Sequence, residues 1–112
     1  EIMFDAWSSW DVPYTVQMAE LAAPYRVWWF EEPVLADMIP AYAEISAVVK
    51  GIPGAPSISG GEHEYTRWGI KALIDAGACY ILQPDTYWAG GLSELFKICV
   101  LASAHDEHAR LG

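Results

Sequence analysis

Apolar and polar positions along the chain fall into a repeating order: a short apolar run, a turn, then an amphipathic stretch. Glu1–Phe4 is a short apolar run that ends at Asp5. Asp11 is a good helix N-cap and Pro13 suits a first helical turn, which predicts a helix over Tyr14–Ala23 that stops at Pro24. Arg26–Phe30 reads as a strand ending at Glu31-Glu32-Pro33, and Ile39–Lys50 as a helix with Pro40 early and Gly51 at its C-terminal end. Pro56–Ser59 is a short strand ending at Gly60-Gly61-Glu62. Tyr65–Ala76 is a helix closed by Gly77, Ala78–Gln83 a strand ending at Pro84-Asp85, and Leu92–Ala104 a helix entered through Gly90-Gly91. This gives four strand–helix units in 112 residues. Strict alternation predicts an α/β fold with a parallel sheet. An open doubly wound sheet and a closed barrel both satisfy it. An eightfold barrel takes about 250 residues, so four units would make half of one and leave strand edges unpaired.

Composition sharpens this picture. Hydrophobic residues make up 54% and charged residues only 19%, with six Trp, which excludes a disordered polymer. So little charge is also too little for an ordinary soluble surface, and points either to strands covered on both faces or to surface meant for missing partners. The net charge of −9 argues against nucleic acid as a partner, because phosphate recognition needs clustered Lys and Arg. No apolar run approaches the 18 residues of a membrane-spanning helix, and no basic leader precedes an apolar stretch. Cys79 and Cys99 both sit on apolar faces and read as buried free thiols, compatible with the reducing cytoplasm.

The chemistry lies at the strand ends. In parallel α/β folds the active site forms at the C-terminal ends of the strands. Each predicted strand here ends on an acid: Asp5, Glu31 with Glu32, Glu62 and Asp85, spaced 26, 31 and 23 residues apart from Asp5 through Glu31 and Glu62 to Asp85. Equivalent points of neighbouring units converge in space, and gathered carboxylates repel unless a cation sits among them. Oxygen ligands alone select a hard ion, Mg²⁺, Ca²⁺ or Mn²⁺, and no Cys or His spacing fits zinc. A lone acid at a strand end is commonly just a helix cap; four in register are harder to explain that way. Glu31 follows the strand directly, whereas Glu32 either joins the site or pairs with a neighbouring side chain.

Phe4-Asp5-Ala6-Trp7, Trp29-Phe30-Glu31-Glu32-Pro33, Gly61-Glu62-His63 and Gln83-Pro84-Asp85, followed by Gly90-Gly91, resemble the enolase superfamily, mandelate racemase/muconate lactonizing enzyme subgroup. The resemblance runs over residues 1–106, read as part of a TIM-barrel-like C-terminal domain covering about its third to sixth strands, with 107–112 a divergent tail. It implies Mg²⁺ held by Asp5, Glu31 and Glu62. Asp85 then orients and tunes a catalytic His, while His63 and Trp7 line the substrate site. It further implies abstraction of the proton α to a carboxylate and an enediolate stabilised by the metal. Trp7–Thr15 and Gly61–Arg67 look most like the acid-sugar dehydratases, which remove the 3-hydroxyl to give a 2-keto-3-deoxy sugar acid. A racemase, epimerase or cycloisomerase of the same superfamily, or a non-catalytic truncated form, is the alternative. The family's capping domain, second-strand acid/base residues and seventh-strand His have no counterpart in the sequence. The chain alone is therefore expected to be inactive, and its full-length parent to be a cytoplasmic homo-oligomer. His105 and His108 fall at or beyond a helix end, where solvent exposure or capping is expected.

Overall fold

Asp11 does what its position predicts: its Oδ1 accepts the Tyr14 N–H at 2.8 Å and opens the first helix. The computed structural model describes residues 1–105 and the backbone of 110–111. The elements run β1 (Phe4–Asp5), α1 (Val12–Ala22, continued by a 3₁₀ turn Ala23–Tyr25), β2 (Trp29–Glu31), α2 (Ile39–Val49) and β3 (Ser57–Gly60). They continue as α3 (Thr66–Asp75), β4 (Ile81–Leu82), α4 (Thr86–Ala89), α5 (Leu92–Ser103) and β5 (Arg110–Leu111). β1, β2 and β4 are shorter than their apolar runs. Arg26, for example, takes φ 55° at the end of the 3₁₀ turn and the strand begins only at Trp29.

All neighbouring strands pair in parallel, in the sequential order β1-β2-β3-β4-β5. A doubly wound sheet reverses its order at a switch point; these strands do not, so the progression is that of a barrel wall. Two details go beyond the sequence reading. Within residues 107–112, read as a divergent tail, Arg110–Leu111 adds a fifth strand on β4, Ile81 opposite Arg110. Backbone pairing asks for extended chain and a free edge, not for an apolar sequence. Asp85 also starts an unforeseen short helix, α4, ahead of α5.

Register decides the two faces. Phe4, Phe30 and Ile58 stand side by side, as do Gly60 and Leu82. Phe30, Ile58 and Leu82 are buried against Ala19, Ile45, Ile70, Leu73 and Ile98 of the helices. Side chains alternate along a strand. The next row, Asp5, Glu31, Ser59 and Ile81, therefore faces away from the helices. No helix among the described residues is long and apolar enough to cross a membrane.

Two glycines, the last residue of β3 and the one after it, are there for different reasons. A Cβ on Gly60 would lie 3.2 Å from Cys79 Sγ and 3.3 Å from Tyr42 Cε1. Both neighbours are buried, and the Tyr42 hydroxyl is tied to the Val34 carbonyl at 3.0 Å. Burial pushes the pKa of the Tyr42 phenol and of the Cys79 thiol well up, so both stay neutral. Gly60→Ala should cost about 1–3 kcal/mol through overpacking, read as a lower urea midpoint; an unchanged midpoint would show that the neighbours yield freely. Gly61 has φ 113°, a conformation side chains disfavour, and with it the chain leaves β3 towards Glu62 and His63.

Candidate metal centre

Asp5 and Glu31 are register partners on adjacent strands, at the C-terminal end of each and on the face away from the helices. Their side chains are each engaged locally. Asp5 Oδ1 accepts the Trp7 N–H at 2.8 Å, in a loop where Trp7 and Ser8 take φ 45° and 60°. Glu31 Oε2 accepts from the Trp29 indole N–H at 3.3 Å. Like charges side by side favour such donors, since each offsets some repulsion. Glu62 is exposed, two residues past the end of β3.

Among the described residues the group that comes within chelating reach is Glu32, Glu62 and His63, whose nearest donor atoms lie within 4.8 Å of one another. The three predicted ligands thus share an end of the sheet, with Asp5 and Glu31 level, while only Glu62 belongs to this tight cluster. Glu32 resolves the ambiguity of the Glu31-Glu32 pair: it contacts a neighbouring side chain, His63, its Oε1 2.7 Å from Nδ1. It is 1% exposed, and its Oε2 is buried without a hydrogen-bond partner among the described residues. Such an atom costs about 1–3 kcal/mol. Its backbone is held too, at φ 42°, by Glu32 N–H to the Ser59 carbonyl (3.0 Å) and Ser8 N–H to the Glu32 carbonyl (2.6 Å). A non-glycine residue in that region costs of order 1–3 kcal/mol.

His63 sits between Glu32 and Trp88, whose ring meets it edge-on at 4.9 Å; Tyr65 in turn stacks parallel to Trp88 at 6.1 Å. The hydrogen bond to Glu32 holds the His63 pKa above the ordinary histidine value. Partial burial opposes this, and the charges of Glu32, Glu62 and Glu64 add to the rise. Burial raises the pKa of Glu64, with Glu32 adding to it and His63 offsetting it. Sequence reasoning missed the Glu32–His63 pair and Glu64. The available signal was two successive acids before a Pro: strand alternation lets only one of them share the Asp5 face.

Asp85 is a helix cap: its Oδ1 accepts the N–H groups of Tyr87 (2.8 Å) and Trp88 (2.9 Å) and so starts the short helix that carries Trp88. Trp7 is 72% exposed next to Asp5. His105 Nδ1 meets the Leu101 carbonyl at 2.9 Å at the end of α5, the expected capping position; His108 lies outside the described residues. Cys79 is buried as expected, whereas Cys99 is only half-buried; both are free.

The donor chemistry suits a hard divalent ion. Three carboxylates, Asp5, Glu31 and Glu62, lie at the ends of successive strands, an oxygen set that such an ion takes.

Comparison with known proteins places the chain in a family. A family model described as "Enolase C-terminal domain-like" matches residues 1–109. An L-rhamnonate dehydratase of Saccharopolyspora erythraea is 40% identical over 104 residues, 93% of this chain and 26% of the relative. The solved L-talarate dehydratase from Polaromonas sp. JS666, complexed with Mg and L-glucarate, superposes with a TM-score of 0.85 at 28% identity, over 97% of this chain and 27% of its own. A racemase from Streptomyces coelicolor A3(2) with bound magnesium superposes with a TM-score of 0.82 at 28% identity, over 91% of this chain and 29% of its own. The chain therefore spans about a quarter of the length of the relatives it matches.

Proposed function

The chain belongs to the enolase C-terminal-domain-like family, and on that footing we propose that it forms the metal-binding part of a Mg²⁺-dependent acid-sugar dehydratase, with L-rhamnonate the first substrate to test. The observation that carries this reading is the level placement of Asp5 and Glu31 at the ends of adjacent parallel strands, with Glu62 following the third. Those three carboxylates would hold the ion. Mg²⁺, when bound, supplies a fixed positive charge that favours ionisation at the carbon next to a substrate carboxylate.

The remaining roles belong to the chain's own side chains. The Glu31 carboxylate is oriented by the Trp29 indole N–H that it accepts. Asp85 uses one oxygen to cap α4, and its charge serves to orient a base contributed by the full-length protein. His63 and Trp7 stand at the same end of the sheet, where they would meet the sugar acid. Loss of the 3-hydroxyl after removal of the α-proton gives a 2-keto-3-deoxy acid. Two unpaired thiols support a cytoplasmic setting.

The test is to incubate the full-length protein with L-rhamnonate and follow 2-keto acid. Mg²⁺-dependent product, abolished by a chelator and restored by the metal, is the expected result. An epimerised acid without keto product would move the assignment to a racemase, and no turnover of any sugar acid would sink it.

A further inference from the structure

We propose that Glu32 is a positioning residue: its buried carboxylate fixes the His63 ring through Nδ1 and presents Nε2 to a hydroxyl group of the sugar acid bound beside Glu62. This rests on the dehydratase reading of the site. The anchor is rigid by construction. The Glu32 backbone is bonded on one side to β3, through the Ser59 carbonyl, and on the other to the loop after β1, through the Ser8 N–H. Its side chain is 1% exposed, and Oε1 lies 2.7 Å from Nδ1. A carboxylate only accepts, so Nδ1 carries the hydrogen of that bond. Trp88 closes the ring's other approach at 4.9 Å and is itself stacked on Tyr65.

A ring held between a carboxylate and an indole has one nitrogen left for a ligand. Nε2 has no partner among the described residues. A hydroxyl both donates and accepts, so it pairs with Nε2 whether or not that nitrogen carries a hydrogen. Glu62 and His63 offer donor atoms within 4.8 Å of one another. A sugar acid held at the ion that Glu62 would help to bind thus brings its hydroxyl-bearing carbons near the imidazole. Glu32 touches no substrate in this scheme; it acts only through His63.

A double-mutant cycle in the full-length protein tests this, with L-rhamnonate as the probe. Glu32→Gln should lower kcat/KM roughly tenfold to a hundredfold, the usual scale for a residue that orients a site group. Its Mg²⁺ affinity and melting temperature should stay at the wild-type values. Adding Glu32→Gln to His63→Ala should cause no further loss, because the residue acts through the one already removed. Glu32→Asp, which keeps the negative charge that Gln lacks, should recover part of the activity. Additive losses, or a Glu32→Gln enzyme equal to wild type, would overturn the proposal. A second measurement needs no turnover: ¹⁵N-histidine spectra of the same full-length protein should show His63 protonated at Nδ1, shifting towards Nε2 in Glu32→Gln. Unchanged ring shifts would also overturn it. Wild-type protein that turns over no L-rhamnonate counts against the dehydratase reading instead, and the ring shifts then judge the anchor by themselves.

Discussion

Asp85→Asn in the full-length protein should lower kcat by about 10²–10⁴-fold, the usual contribution of a well-oriented acid/base group, while Mg²⁺ affinity stays at the wild-type value. The substitution separates two roles that one carboxylate combines. Asp85 Oδ1 accepts two backbone N–H groups and starts α4. Asn is as good a helix cap as Asp, so α4, and Trp88 with it, should remain in place. What disappears is the negative charge. If Asp85 only caps a helix, Asn should be nearly silent in kinetics and stability alike. If it orients a base, turnover falls and metal binding does not. Calorimetric Mg²⁺ titration beside steady-state kinetics decides between these outcomes. A parallel loss of Mg²⁺ affinity would make Asp85 a ligand.

Glu31→Gln should weaken Mg²⁺ binding roughly a hundredfold or more, and abolish metal-dependent turnover. Two unit charges 4 Å apart attract by about 4 kcal/mol at an effective dielectric near 20, and losing even most of that is two orders of magnitude. Gln keeps the shape and can still accept from the Trp29 indole, so the end of β2 should hold its conformation. Glu32→Gln, one residue on, is the matched control. It removes the same charge from a buried position that faces His63 rather than the Asp5–Glu31 row, and should leave the Mg²⁺ affinity intact. Equal losses from both variants would mean that the site responds to net charge and not to ligand geometry. Full affinity in Glu31→Gln would remove Glu31 from the site.

Much of this was legible because it is local. Asp11 and Pro13 predict the start of α1 because an N-cap and a first-turn Pro act within a few residues. The strand ends are marked by acids, and their spacing of about one strand–helix unit already implied that Asp5 and Glu31 lie level, as their register shows. The order of the strands was not legible. Alternation of strand and helix is common to open sheets and barrels, and only the pairing of β1 through β5 in sequence separates them. Nor was the strand at Arg110–Leu111 foreseeable, since its pairing is with β4, a partner distant in the chain.

The sequence by itself determined the parallel α/β class and the positions of the carboxylates, since hydrophobic period, caps and strand-end acids are written in residue order, and its motifs carried the resemblance to the family. Tertiary structure alone decided what each acid does. Glu31 and Glu32 are adjacent and chemically identical, yet one is bonded to an indole on the Asp5 side while the other is buried against His63, 31 residues away. Asp85, one more acid at a strand end, turns out to hold a helix and, through it, the indole that confines His63. Strand alternation, the left-handed turn at Glu32 and the packing of distant loops set those environments. A carboxylate's role follows from its neighbours in space, which residue order does not contain.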